Sequence, residues 1–235
     1  MEQRNEARAW LERDTVLHAN MLEVLRRGSA EALTVEEGGV LLYDTGCGAW
    51  MLAAEPAAAG SLLDRLPAGC DLFVGHDMAW FDLARERLGL PEVEVCYSSA
   101  YLAGEPLPIP DFGGELRLLD RSWTAWLCAH YSHDFGGAAY MERAVDRGMV
   151  GAFVEGEPAG FVGFHDEGSI GMLEVLPAYR RRGLGEILQQ AAINLALERG
   201  QIPFGQVIDG NTASLGLQRK LGMAVSQSRL FWLIG

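Results

Sequence analysis

The sequence predicts an α/β protein built from two successive α/β segments. Short strand-like apolar runs alternate along the chain with stretches in which apolar residues recur at helical spacing. Residues 104–114 hold three prolines and three glycines, so this stretch can hardly join a regular element. The chain has 235 residues, of which 49% are hydrophobic and 22% charged, which is enough for two compact units with buried cores. We therefore expect an N-terminal α/β domain over 1–103, a linker over 104–114 and a C-terminal domain over 115–235.

The first segment opens with one amphipathic helix and continues as mixed strands and helices. Asp14 is a suitable N-cap for a helix that starts at Thr15, and Gly28 is a suitable stop. Pro56 can occupy the first turn of a later helix, and Gly89 can end another. The predicted strands are 32–35, 40–43, 50–53, 71–74 and 93–97, and the further helices are 56–66 and 78–88.

The second segment has the pattern of two helices followed by three strands. The helices are predicted over 122–130 and 138–147, and the strands over 149–154, 161–165 and 169–176. The last strand leads through Pro177 into a loop rich in arginine and glycine, and a helix then runs from Leu184 to Gly200.

This strand–loop–helix segment has the features of an anion-binding site. The unpaired N–H groups of the first helical turn face the loop, and its glycines let a pyrophosphate approach the backbone. Arg181 and Arg182 add positive charge in a molecule that is otherwise acidic. A tight strand-to-helix turn without a ligand is the alternative interpretation of the same pattern.

A second element follows at Asn211, which is a good N-cap for another helix. On that helix Asn211, Ser214 and Gln218 share one face by their spacing. Leu217 and Leu221 are expected to bury the other face.

The two motifs together resemble those of the GNAT superfamily of N-acetyltransferases, most closely its FR47-like branch, which includes the glycine N-acyltransferases. The resemblance covers about 115–235 and rests on the runs 168–185 and 211–222. It implies a GNAT fold, a mixed and mostly antiparallel sheet flanked by helices, in the C-terminal half. For the N-terminal half it implies a smaller, degenerate GNAT-like α/β domain. It also implies acetyl-CoA, or another short acyl-CoA, as co-substrate.

The resemblance carries over to individual residues of the two motifs. The backbone at Leu173 and Val175 would pair with the pantetheine arm like an added strand, and Asn211 and Ser214 would lie beside the cofactor. The pyrophosphate loop would comprise Arg180, Arg181, Arg182, Gly183, Leu184, Gly185 and Glu186.

Two positions depart from the family pattern. Gln218 stands where the family commonly has a tyrosine as general acid, and Gln206 stands where many members have a carboxylate. Glu174 remains as a candidate general base, because strand alternation places it on one face with Ile170 and Met172, where burial should raise its pKa. The alternative is that Glu174 pairs with an arginine and is structural. Protonation of the leaving thiolate is left to solvent or to Ser214.

Other clusters are weaker candidates. His130, His133 and Asp134 have the spacing of a partial metal site, but no further ligand is suggested nearby, so we expect no metal. By the family resemblance, the helix and loop around them border the acceptor, so Trp123, Trp126, Tyr131 and His133 are candidates to shape its pocket. Aromatic residues at helical spacing are also ordinary core residues.

Composition narrows the class of partner and the compartment. The formal net charge of −13 disfavours nucleic acid and anionic membrane surfaces. No apolar run approaches the ~20 residues of a membrane span, and the charged N-terminus is unlike an export signal. The four cysteines are spread singly, as in reducing compartments. We expect a cytoplasmic protein, and the sequence does not fix its oligomeric state.

The sequence therefore predicts an N-acetyltransferase that moves a short acyl group from acetyl-CoA to a primary amine by direct attack. The acceptor would be a small-molecule amine or an amino-acid-like compound, or else a protein amine. The alternative is a non-catalytic acyl-CoA-binding module or sensor, which Gln206 and Gln218 favour.

Overall fold

The computed structural model describes residues 2–133 and 136–235. In the first part of the chain the helices are α1 (Glu2–Leu11), α2 (Ala19–Arg27), α3 (Pro56–Leu63) and α4 (Phe81–Leu88). The strands there are β1 (Ala30–Glu36), β2 (Gly39–Asp44), β3 (Ala49–Ala54), β4 (Leu72–His76) and β5 (Glu92–Ala100). The sequence analysis missed α1, in which Ala7, Trp10 and Leu11 are buried among charged neighbours.

The second part begins with a strand that the sequence analysis also missed, β6 (Gly114–Leu119). Its helices are α5 (Thr124–His130), α6 (Gly137–Asp146), α7 (Leu184–Glu198) and α8 (Thr212–Lys220). Its other strands are β7 (Met149–Val154), β8 (Glu157–Phe164), β9 (Ile170–Val175), β10 (Phe204–Ile208) and β11 (Ala224–Ile234).

The same order of elements occurs twice along the chain. Two helices, three antiparallel strands, a helix, a strand, a helix and a strand run from α1 to β5 and again from α5 to β11. The α/β fold class is confirmed, and this repeat is what a degenerate N-terminal copy requires.

The chain divides into two compact units that differ from the predicted segments. One unit is Met1–Ala100 with Gln206–Gly235, and the other is Tyr101–Gly205. The boundary between the units differs from the predicted one because β11 lies between β4 and β5. These strands belong to a seven-stranded sheet of order β1-β2-β3-β4-β11-β5-β10. Backbone hydrogen bonding along both edges of β11 therefore assigns the C-terminal strand to the first unit.

The core of the first unit depends on that strand. Phe231 packs with Phe73, Trp80 and Phe81 in one aromatic cluster. Gly75 is required beneath it, since a Cβ at this position would come within 2.1 Å of the Phe231 ring.

The second unit is a sheet of order β6-β7-β8-β9 with helices on both faces. Phe161 and Met172 pack with α5 and α6 on one face. A Cβ at the neighbouring Gly160 would instead meet Leu188 of α7, which identifies the opposite face. The sheet is thus a platform between two helical layers.

A pair of buried histidines makes the stability of the first unit sensitive to acid. His76 is 1% exposed, with Nδ1 3.0 Å from the Leu52 carbonyl oxygen and Nε2 2.7 Å from Asn20 Oδ1. Burial, together with the nearby His18, lowers the pKa of His76 to about 3. Burial also lowers the pKa of His18.

We expect the free energy of unfolding to fall as the pH is lowered from 7 to 5. Below the ordinary histidine pKa of 6.5, His76 binds a proton in the unfolded chain but stays neutral in the folded protein, so protonation favours the unfolded state. At 1.36 kcal/mol per pKa unit, His76 alone accounts for about 2 kcal/mol over this interval. Urea unfolding of the wild type should show this slope, His76→Gln should lose most of it, and the exposed-site control His130→Gln should keep it. Equal slopes in wild type and His76→Gln would contradict the assignment.

Candidate functional site

The edge strand β9 and the loop after it form the candidate site in the second unit. Strand β9 pairs with β8 on one side only and ends the four-stranded sheet. The Leu176 N–H donates to the Ala159 carbonyl at 2.9 Å. Because bonded and non-bonded pairs alternate in an antiparallel ladder, the backbone groups of Leu173 and Val175 are directed to the outer edge.

Strand β9 contains a β-bulge, so its side chains do not alternate between the two faces of the sheet along its whole length as predicted. Met172 has a φ of 54°, and the register with β8 shifts there. Met172 and Glu174 therefore lie on the face of α5 and α6, whereas Ile170 pairs with Phe164 on the α7 face. Ile170 and Glu174 do not share a face.

The Glu174 carboxylate is largely buried and has an arginine partner. Its side chain is 14% exposed and lies 3.3 Å from Nη2 of Arg180. Nε of Arg180 donates to the Val175 carbonyl at 2.9 Å, so this side chain is folded back on β9. The arginine pairing that the sequence analysis named as the structural alternative is thus present, and it also fixes the orientation of the carboxylate.

The loop between β9 and α7 presents two exposed arginines ahead of a helix N-terminus. Arg181 has a φ of 64°, and the guanidinium of Arg182 lies 5.5 Å from the centre of the Tyr179 ring. Gly183 is the N-cap of α7 with a φ of 83°, a conformation that L-residues rarely adopt. A Cβ at Gly183 would meet no heavy atom within 4 Å, so the backbone there is open to approach.

We expect Gly183→Val to abolish most CoA binding. A β-branched residue at this φ costs about 1–3 kcal/mol of strain and places a side chain where a phosphate would approach. Gly156 in the β7–β8 turn is a matched control, since its φ is 84° and it too has open surroundings. Calorimetry with CoA should show weak or no binding by Gly183→Val and near-normal binding by Gly156→Val. Equal losses in both variants would mean that strain alone, and not the position, is responsible.

The Asn211 motif lies in the first unit. The Asn211 Oδ1 accepts from the Ser214 N–H at 3.0 Å and caps α8, as its type predicts. Gln218 is 4% exposed, so this side chain of α8 is buried, as is Leu221. Gln206 Oε1 accepts from the Trp232 indole N–H at 2.7 Å, a structural role for that side chain.

A polar cluster that the sequence analysis did not assemble lies beside α6. Tyr140 and His165 are 25 positions apart, and the Tyr140 hydroxyl is 2.6 Å from His165 Nδ1. Burial, and then the nearby carboxylates of Glu167 and Asp166, raise the pKa of Tyr140 well above its ordinary value. Burial and Glu174 do the same for Tyr131. No sequence signal marks these contacts, because they join a helix to a distant strand end.

Of the four candidates for the acceptor pocket, Tyr131 and His133 line a pocket near the end of α5, whereas Trp123 and Trp126 pack against the core. Trp123 and Trp126 pack edge-to-face against each other and against the phenylalanines of the core. Among the described residues no three His, Cys, Asp or Glu side chains form a group that could hold a metal ion, and Asp134 lies outside them. None of the described helices is long and apolar enough to cross a membrane.

Comparisons with known proteins agree with this geometry. Residues 116–223 match the model of the Acetyltransferase (GNAT) family. A Drosophila protein of solved structure is 17% identical, with 99% of this chain and 88% of that chain covered at a TM-score of 0.65. A GCN5-related N-acetyltransferase-like protein from Streptococcus suis is 18% identical, with 100% and 99% covered at a TM-score of 0.57. No curated protein matches the chain.

A third solved structure, a GCN5-related N-acetyltransferase from Kribbella flavida, is 16% identical, with 93% of each chain covered at a TM-score of 0.57. At these identities the likeness establishes the fold. The chain therefore has the α/β fold of the GNAT acetyltransferases, and its residues 116–223 match that family.

Proposed function

We propose that the protein is an acyl-CoA-dependent N-acyltransferase that moves an acetyl or other short acyl group to a primary amine. The observation that carries the proposal is the outer edge of β9, which runs directly into an arginine- and glycine-rich loop at the start of α7. An extended pantetheine arm can add to such an edge as a strand does, and a pyrophosphate suits a helix N-terminus with two adjacent guanidinium groups.

The residues of this site suggest a direct transfer. Leu173 would hold the pantetheine arm through its backbone, and Val175 through its N–H, since the Val175 carbonyl already accepts from Arg180. A backbone N–H at the β9 edge would polarise the thioester carbonyl. The amine nitrogen attacks that carbonyl carbon, the C–N bond forms, the C–S bond breaks and CoA leaves as a thiolate. Holding amine and thioester together supplies much of the rate.

Two proton transfers complete the proposed reaction. Glu174 would take a proton from the amine, directly or through one water, and solvent would protonate the thiolate. The roles of Asn211 and Ser214 beside the cofactor, and Ser214 as the proton donor, stay predictions of the sequence. The assignment to the FR47-like branch likewise stays a prediction.

We propose the cytoplasm as the location, because the four cysteines are spread singly along the chain, as in proteins of reducing compartments.

A non-catalytic acyl-CoA sensor is the second candidate, because neither Gln206 nor Gln218 can exchange a proton near neutral pH. One experiment separates the two functions. Thiol release from acetyl-CoA is followed with a panel of primary amines, beside thermal shift with CoA. Amine-dependent release together with a shift supports the enzyme, and a shift without release on any amine supports the sensor. The absence of both would refute acyl-CoA as the ligand.

We expect one CoA site per chain. In the first unit β3 pairs in parallel with β4, so the edge that corresponds to that of β9 is already occupied. Glu55 is the single residue between β3 and α3, so there is no loop there that could surround a phosphate. Its carboxylate also lies at the N-terminus of α3, where it would repel a phosphate. Calorimetric titration of the full chain should give a stoichiometry of one, and a second site that survives Gly183→Val would contradict this.

A further inference from the structure

Strand β6 forms the edge of the second sheet that lies farthest from the candidate site. In the part of the chain that the structure describes, β6 pairs with β7 alone, whereas β9 forms the other edge of this sheet. Its residues, Gly114–Leu119, include no proline and pair with β7 without a register shift. In such a regular edge strand, alternate residues direct their N–H and C=O groups away from the sheet. The outer edge of β6 can therefore pair with a further strand.

The side chains of β6 are accessible on both faces of the sheet. Leu118 is 64% exposed although it lies within a strand, and Leu116 on the same face is half-buried. The other face carries Glu115 and Arg117, which are both exposed and form an ion pair with each other. The guanidinium carbon of Arg117 also lies 4.2 Å from the centre of the Phe153 ring, which holds this charge on the strand. An apolar and a charged stripe thus follow the same free edge.

The sequence of β6 is self-complementary when the strand pairs antiparallel with a second copy of itself. About a two-fold axis at Leu116, Glu115 of each copy lies opposite Arg117 of the other, which makes two pairs of opposite charge. Antiparallel registers centred on Glu115 or on Arg117 place like charges opposite each other, and parallel pairing in register does so as well. Like charges directly opposite are destabilising, so the two charges favour one register.

The apolar stripe agrees with the same register. Leu118 of each copy would lie opposite Gly114 of the other, on the same face of the joined sheet. A Cβ at Gly114 would come within 2.4 Å of the Phe112 ring, so this ring occupies the place of the missing side chain. Leu118 of the second copy would therefore meet the Phe112 ring and lose its contact with water.

We propose that β6 is the interface of a reversible homodimer, in which two copies join their four-stranded sheets edge to edge. The joined sheet would have eight strands, with β9 of each copy at its two ends, so the contact does not occupy the candidate CoA sites. One strand pair is a small contact, and we therefore expect dimer and monomer to be in equilibrium at micromolar concentrations. This interface does not depend on the proposed acyltransferase activity.

Charge reversal on β6 tests the register. In sedimentation velocity over a wide range of concentrations, the wild-type mass should rise from that of one chain to that of two. Glu115→Arg places two cations opposite each other at both pairs, and Arg117→Glu places two anions there, so each variant should weaken the dimer by about 10-fold or more. Glu86→Arg makes the same change of net charge at an exposed position on α4 and should leave the equilibrium unchanged.

Mixing the two single variants is the decisive measurement. A mixed dimer of Glu115→Arg and Arg117→Glu has opposite charges at both pairs, so the equimolar mixture should associate about as tightly as the wild type. The double variant with both substitutions restores the two pairs in the same way and should dimerise by itself. Recovery in the mixture would also show that each single variant is folded.

The apolar contact has a variant of its own. Leu118→Lys should also weaken the dimer by about 10-fold or more, because it places an ammonium group against the Phe112 ring of the second copy without an anion beside it. Leu102→Lys, at another exposed leucine, should not change the equilibrium. A Leu118→Lys protein that dimerises like the wild type would contradict this contact.

Three results would overturn the proposal. A wild type that stays monomeric over the whole range would mean that the charges of β6 keep other strands away from this edge. A dimer that both single reversals leave unchanged would lie on another surface. A mixture that stays monomeric, while both variants keep the wild-type melting temperature, would exclude the register centred on Leu116.

Discussion

Replacing Glu174 with glutamine is expected to lower kcat by about 100-fold or more while CoA affinity stays within a few-fold, the usual scale for loss of a proton-transfer group. Glutamine keeps the size of the side chain and can still accept from Arg180, so the geometry around β9 should be preserved. The wild-type pH profile of kcat/KM should have an acidic limb, because a protonated base cannot accept the proton of the amine. The variant should lack that limb.

The exposed Glu157 at the start of β8 provides the control, and Glu157→Gln should leave turnover and profile unchanged. If Glu174→Gln retains near-normal turnover with the wild-type profile, the carboxylate serves only its ion pair with Arg180. The amine would then arrive deprotonated or lose its proton to bulk water.

The double variant Arg181→Ala with Arg182→Ala should weaken CoA binding by roughly 100-fold at moderate salt. Two charge-assisted contacts to the pyrophosphate, at about 1.5 kcal/mol each, account for this loss. Both side chains are exposed, so the melting temperature without ligand should change little. The wild-type affinity should also fall more steeply with salt than that of the variant.

Removing two positive charges anywhere makes an acidic protein more acidic, so the control must change the net charge equally. Arg8→Ala with Arg85→Ala does so from exposed positions on α1 and α4. Calorimetry should find near-wild-type CoA affinity for this control. An Arg181→Ala, Arg182→Ala protein that binds CoA as tightly as the control would refute the placement of the pyrophosphate.

The predictable parts of this molecule are those that local chemistry dictates. Gly28 and Gly89 end their helices in left-handed conformation, Pro56 opens α3, and Asn211 caps α8, as their residue types indicate. The loop before α7 is also predictable from the sequence, because a run of arginines and glycines between a strand and a helix is conspicuous in an acidic chain.

The parts that sequence reasoning missed depend on contacts between distant residues. The bulge at Met172 adds one residue against β8, and an alternating apolar pattern carries no mark of it. The Tyr140–His165 contact joins α6 to the end of β8, so neither residue stood out alone. The partners of β11 are strands more than 120 positions away along the chain. The hydrophobic periodicity of a segment predicts that it is a strand, but not which strands it pairs with.

Because β11 lies inside the seven-stranded sheet, that sheet cannot be complete until the C-terminal strand has been synthesised. A ribosome that has made the first 100 residues has made every helix of the first half and five strands, but the place between β4 and β5 stays empty until residues 224–234 emerge. The four strands of the second sheet, by contrast, are all made by residue 175, and the unit that holds them ends at Gly205. We therefore expect that a chain cut at the proline-rich stretch does not release the first unit as a folded piece, because the cut exposes two strand edges and the apolar cluster that Phe231 covers.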